Sequence, residues 1–183
     1  MSETNTRAGA GRRYAGRKSA ALARSAALLI AISGVVSSAV AAPPPQFDPI
    51  TFFTGVTDST GSLKQAFSSA KASHVTGWGA FRGDGTFVLD QTVKIAGDPD
   101  RKRQWQLHQI APGHFGGTVS DGTTPVTIDV AGNRLVIKYT MKGGLGVTSV
   151  LTIAADGRSG QNVSKIRKWG MGVATLSEVI RKD

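Results

Sequence analysis

Turn signals recur about every ten residues after Pro49, and no other feature restricts the fold of this chain so tightly. They are Gly83-Asp84-Gly85, Asp98-Pro99-Asp100, Gly116-Gly117, Asp121-Gly122, Ala131-Gly132-Asn133, Gly143-Gly144, Asp156-Gly157 and Gly170. Breaks this close together leave little room for helices of ordinary length, whereas antiparallel strands joined by hairpins fit between them. Side chains between the breaks alternate with a period of two. Phe87, Leu89, Gln91, Val93 and Ile95 share one face, with Val88, Asp90, Thr92 and Lys94 on the other. Arg103, Trp105 and Leu107 alternate with Gln104, Gln106 and His108, and Leu135, Ile137, Tyr139 and Met141 with Arg134, Val136, Lys138 and Thr140.

One wet and one dry face per strand is the pattern of an antiparallel sheet over a single core. Candidate strands cover 62–67, 74–82, 86–96, 103–110, 115–120, 126–130, 134–141, 147–154, 162–169 and 171–180. An open sheet this wide leaves two exposed edges, and closure into a barrel removes them. The expected fold class is therefore all-β, an antiparallel up-and-down barrel of about 8–10 strands. The last segment also fits a helical face through Val173, Leu176 and Val179, so its type stays open.

Residues before Pro49 read differently. Arg7, Arg12, Arg13, Arg17, Lys18 and Arg24 precede an 11-residue apolar stretch over 26–36, then small residues ending in Ala39-Val40-Ala41. These are the three parts of a cleavable secretory signal, and a spanning helix needs roughly 20 apolar residues. The expectation is a signal peptide over 1–41, a Pro-rich linker over 42–50 and the barrel domain over 51–183, placing the mature protein in the periplasm or outside the cell. An uncleaved anchor over 25–42 is the alternative; with cleavage, no stable membrane span remains. The pair Arg12-Arg13 suggests twin-arginine export, but Tyr14-Ala15-Gly16 fits that signal poorly.

Cleavage also changes the charge. The chain has 22 basic and 12 acidic residues; the first 41 positions hold 6 and 1 of them, leaving 16 against 11, or +5. That value suits a soluble domain without a polyanionic partner. With no cysteine in the chain, disulfides, thiolate catalysis and a lipid-bearing cysteine are excluded.

Catalytic signatures are missing. The sequence has no G-x-S-x-G, H-E-x-x-H, P-loop or Rossmann motif, and Glu178 is the single glutamate after the leader. The expectation is a binding protein, not an enzyme, with no cofactor and no metal. His74, His108 and His114 read as surface or turn residues. The basic runs Arg101-Lys102-Arg103 and Lys165-Ile166-Arg167-Lys168 read as a solvated turn and an ordinary strand surface, since nucleic-acid binding wants a continuous basic face with stacking aromatics. Contact with anionic lipid head groups is the milder alternative. Gly77-Trp78-Gly79 reads as a place of close packing or a bulge.

Trp78, Phe81, Phe87, Trp105, Phe115, Tyr139 and Trp169 are spread over six of the candidate strands. They fill a barrel core, or some of them line a cavity, and a barrel of about eight strands is just wide enough for one small ligand.

Four segments carry a family resemblance: Phe52-Phe53-Thr54-Gly55-Val56-Thr57, followed by Gly61; Gly83-Asp84-Gly85 before Thr86-Phe87-Val88-Leu89-Asp90; Arg103-Gln104-Trp105-Gln106-Leu107; and Ser164-Lys165-Ile166-Arg167-Lys168-Trp169-Gly170-Met171-Gly172-Val173-Ala174-Thr175-Leu176. From Phe52 onward the chain resembles an uncharacterised family of small proteobacterial envelope proteins, many of them lipoproteins, with a lipocalin-like domain. It departs from the family pattern in lacking the lipid-bearing cysteine. The resemblance implies a lipocalin-like barrel and no established activity.

Together these readings predict an exported protein that binds a small hydrophobic ligand, such as a lipid or fatty acid, in the cell envelope. Phe87, Leu89, Trp105, Leu107 and Tyr139 are the candidate lining, and Arg103 is the candidate partner of a carboxylate head. The alternative is a filled, ligand-free barrel serving as an assembly partner of another envelope protein, docking through Phe52-Phe53.

Overall fold

The computed structural model describes residues 47–183. The expected signal peptide and the linker up to Gln46 lie outside the described residues. Ten strands follow one short helix: α1 (Pro49–Phe53), β1 (Gly55–Gln65), β2 (Lys71–Phe81), β3 (Phe87–Ile95), β4 (Arg101–Ala111), β5 (His114–Val119), β6 (Val126–Ala131), β7 (Arg134–Met141), β8 (Leu145–Ile153), β9 (Ser159–Lys168) and β10 (Met171–Lys182). Each strand pairs antiparallel with its sequence neighbours, and β10 returns to β1, giving a closed up-and-down barrel. The seam runs from Thr57 opposite Lys182 to Gln65 opposite Ala174. The final segment is a strand, because one side of its backbone bonds β9 and the other bonds β1.

Alternation places the dry faces inward. Phe87, Leu89, Trp105, Leu107, Phe115, Val126, Ile128, Leu135, Tyr139 and Leu151 are all buried in one core. The first strand begins seven residues earlier than expected, at Gly55 rather than Ser62. Its inward positions include Thr57 and Ser59, both buried, so no apolar alternation marks it.

Helix α1 interrupts what reads as an extended linker. Asp48 caps it, accepting the Ile50 N–H at 3.0 Å and the Thr51 hydroxyl at 2.6 Å, and Pro49 supplies a pre-set first turn. Phe52 and Phe53 are buried, so this pair plugs one end of the barrel and is not free to dock elsewhere. Gly79 makes room for it: a Cβ there would lie 2.0 Å from the Phe53 carbonyl oxygen and 2.6 Å from Cζ of Phe87. The plug end also holds the β2–β3, β4–β5, β6–β7 and β8–β9 turns, and Phe47 donates its N–H to Gly132 there at 3.1 Å. The other five turns form the opposite rim.

Candidate functional site

Above the plug the barrel is hollow. A cavity of about 160 Å³ extends from Pro49 and Phe53 to Leu63, Arg101 and Met141 near the opposite rim. Five of the six sequence candidates border it: Leu89, Arg103, Trp105, Leu107 and Tyr139. Phe87 does not. Its ring is wholly buried beside Gly79 and meets Phe81 edge-on at 5.6 Å, below the open space.

Three inward positions on β3 and β4 build one wall. Arg103 stands opposite Gln91 in the β3–β4 register, and the Gln91 side-chain oxygen accepts from Nε of Arg103 at 3.1 Å and from Nε1 of Trp105 at 2.8 Å. The guanidinium carbon lies 5.3 Å from the centre of the Trp105 ring, within cation–π range. Trp105 in turn meets Tyr139 edge-on at 5.3 Å. Burial raises the Tyr139 phenol above its usual pKa, and the nearby Arg103 charge opposes that shift. The phenol is therefore neutral near pH 7 and can donate a hydrogen bond.

Arg103 is thus held by a glutamine and an indole, both neutral. Among the described residues no carboxylate lies within ion-pair distance of its guanidinium. A half-buried cation without a counter-ion is unfavourable, and its remaining N–H donors are available to an anion. Asp121, in the loop between β5 and β6, also borders the cavity, and its Oδ1 is buried without a hydrogen-bond partner.

The opposite wall is polar and was not foreseen from the sequence. In the strand order β9 lies five places round the ten-strand ring from β4. Glu178 on β10 accepts from the Ser73 hydroxyl at 3.0 Å and from the Asn162 amide at 3.2 Å. Asn162 also donates to Ser164 at 3.2 Å, and the Ser164 and Ser149 hydroxyls share a 2.6 Å bond. Ser59 is buried on the same side with its hydroxyl oxygen unpartnered.

Other candidates lie away from the cavity. His74 and His114 bind Asp58 and Asp129 on the outer face, at 2.6 and 2.9 Å, and His108 is exposed. Trp78, Phe81 and Trp169 are exposed and lie outside the buried core; Trp78 faces outward, whereas Phe81 ends the inward face of β2 at the plug end, where its ring meets Phe87. Gly77 and Gly79 occupy the inward positions flanking Trp78; the former would otherwise meet the Thr57 hydroxyl, the latter the plug. Turned outward, the indole has no interior to fill.

Comparison with known proteins shows the fold and the family. The S-type phycobiliprotein lyase CPES from Guillardia theta superposes with a TM-score of 0.59 at 10% identity, over 73% of this chain and 90% of that one. A protein of unknown function from the DUF3598 family of Nostoc punctiforme gives 0.57 at 9% identity, over 79% of this chain and 53% of the other. No curated protein matches the sequence. Residues 26–182 match the family DUF3833, so the chain belongs to this family of proteins of unknown function.

Proposed function

We propose that the barrel binds a small amphipathic carboxylate in the cell envelope, after export, and performs no chemistry on it. The observation that carries this reading is Arg103, a half-buried cation on the cavity wall beside Leu89, Trp105 and Leu107, with no carboxylate within ion-pair distance among the described residues. In the bound state the ligand's carboxylate meets the guanidinium and the Tyr139 hydroxyl. Its tail runs deeper along Leu89, Leu107, Leu135 and Leu151.

Size narrows the class. The volume of about 160 Å³ is close to that of cavities that accept a single benzene ring, and below the roughly 300 Å³ at which drug-sized pockets begin. A short-chain or single-ring acid fits within; a long fatty acid leaves most of its chain outside. The lipocalin-like resemblance and the barrel of the phycobiliprotein lyase support a ligand-holding scaffold at the level of fold alone.

Calorimetric titration of the delipidated protein with straight-chain acids of increasing length tests this. Saturable binding is expected, with an optimum at short or medium length. The variant R103M should lose about tenfold or more for the acids and little for the matching alcohols. No saturation by any acid, aliphatic or aromatic, would refute it. The filled-barrel alternative, an assembly partner for an envelope protein, draws on the exposed Trp78 and Phe81. It predicts that same flat titration.

A further inference from the structure

The rim opposite the plug carries large apolar side chains in water. Phe67 in the β1–β2 turn is fully exposed, Trp169 in the β9–β10 turn is 83% exposed, and Met171 at the start of β10 is 62% exposed. The two turns are neighbours, since β1 pairs with β10 up to Gln65 opposite Ala174 and the Ala66 N–H bonds the Val173 carbonyl at 2.9 Å. Phe67 and Trp169 are also the two non-glycine residues with left-handed backbone among those described, at φ 60° and 51°. Glycine is the unstrained choice at such a position, so a bulky aromatic there is held outward against a backbone preference.

Charge is segregated to the same rim. Residues 64–71, 94–102, 119–125, 141–145 and 165–172 make up its turns and strand ends; they carry nine basic residues and three acidic, or +6. The remaining described residues carry seven basic and eight acidic, or −1. Two of the rim's carboxylates are already paired, Asp98 with Lys71 at 2.6 Å and Asp100 with Lys94 at 3.2 Å. Lys165 and Arg167 make no ion pair among the described residues, and the Lys168 ammonium lies 4.8 Å over the Trp169 ring.

We propose that this rim docks on an anionic lipid bilayer. Phe67, Trp169 and Met171 enter the head-group layer while Lys165, Arg167 and Lys168 meet its phosphates. Interfacial aromatics flanked by cations are the chemistry that such a surface selects. A protein partner would need a shaped counterpart for three separate protrusions, whereas a fluid bilayer needs none. Docking stands independently of the ligand reading, though it would set the cavity mouth against the membrane.

The test uses the full-length chain in every variant, so that residues 1–46 contribute equally throughout. Vesicles of phosphatidylglycerol carrying bromine on their acyl chains should quench the protein's fluorescence, and W169F should remove most of that quenching. The triple variant K165A/R167A/K168A should weaken vesicle binding roughly a hundredfold, about fivefold per charge, with acid binding in the cavity unchanged. Equal quenching in the wild type and W169F would overturn the proposal. So would equal affinity for anionic and phosphatidylcholine vesicles, or a dimer lost with W169F in a protein that ignores vesicles.

Discussion

Replacing Gly79 with alanine tests how the barrel is closed. The new methyl carbon would sit 2.0 Å from the Phe53 carbonyl oxygen and 2.6 Å from Cζ of Phe87. Neither atom is the end of a flexible side chain: one is backbone, the other the tip of a fully buried ring. Ordinary contact lies near 3.5 Å, so the helix must lift by roughly 1.5 Å. Overpacking of this kind costs typically 1–3 kcal/mol. If α1 leaves its seat, Phe52 and Phe53 forfeit burial at up to about 1.5–3 kcal/mol each. The expected loss is about 3 kcal/mol, or a fall in Tm of roughly 10 °C for a domain of this size. Guanidinium unfolding of the full chain measures it, beside the control G83A, where an added methyl meets nothing within 4 Å and the loss should stay within about 0.5 kcal/mol. A G79A protein as stable as that control would show that α1 does not rest on this glycine, and the account of the plug would fail.

Three further outcomes concern the cavity wall and the rim. Glu178→Ala strands the buried Ser73 hydroxyl and takes one of two acceptors from the Asn162 amide, and should destabilise by about 2 kcal/mol, with Glu178→Gln costing less, both measurable by denaturant midpoints. Burial raises the Tyr139 pKa in the folded state. Its contribution is therefore fully present below the unfolded value near 10 and is lost as pH rises through the folded one, so unfolding midpoints should fall more steeply above pH 10 in the wild type than in Tyr139→Phe. Asp98→Asn removes a partly exposed pair with Lys71 and should change stability by less than about 1 kcal/mol, a bound that a double-mutant cycle can break.

Much of the barrel was legible because strands with one dry face announce themselves at period two, and eight of the hairpins carry glycine, aspartate or asparagine at the turn. Arg103, Trp105, Leu107 and Tyr139 could be placed inside by counting alternate positions. The polar wall could not. Ser59 and Ser73 precede the expected starts of their strands at 62 and 74, and Ser149, Ser164 and Glu178 offer no apolar side chain to mark an inward position; the register that buries them shows only once the strands are paired. Size misled in the opposite direction at Trp78, where alternation with two glycines leaves the indole outside and the glycines inside. Helix α1 escaped notice because five residues after a run of prolines carry too little periodicity to register.

The seam between β1 and β10 has a consequence for how the molecule comes into being. Gly61 must wait for Glu178, 117 positions later, before its backbone finds a partner on that side. Until the final strand is available, the growing sheet has two raw margins able to recruit another chain. Late closure across so many residues also favours slow folding. A chain stopped short of Met171 would be an unfinished ribbon with β1 and β9 laid bare, not a slightly smaller vessel.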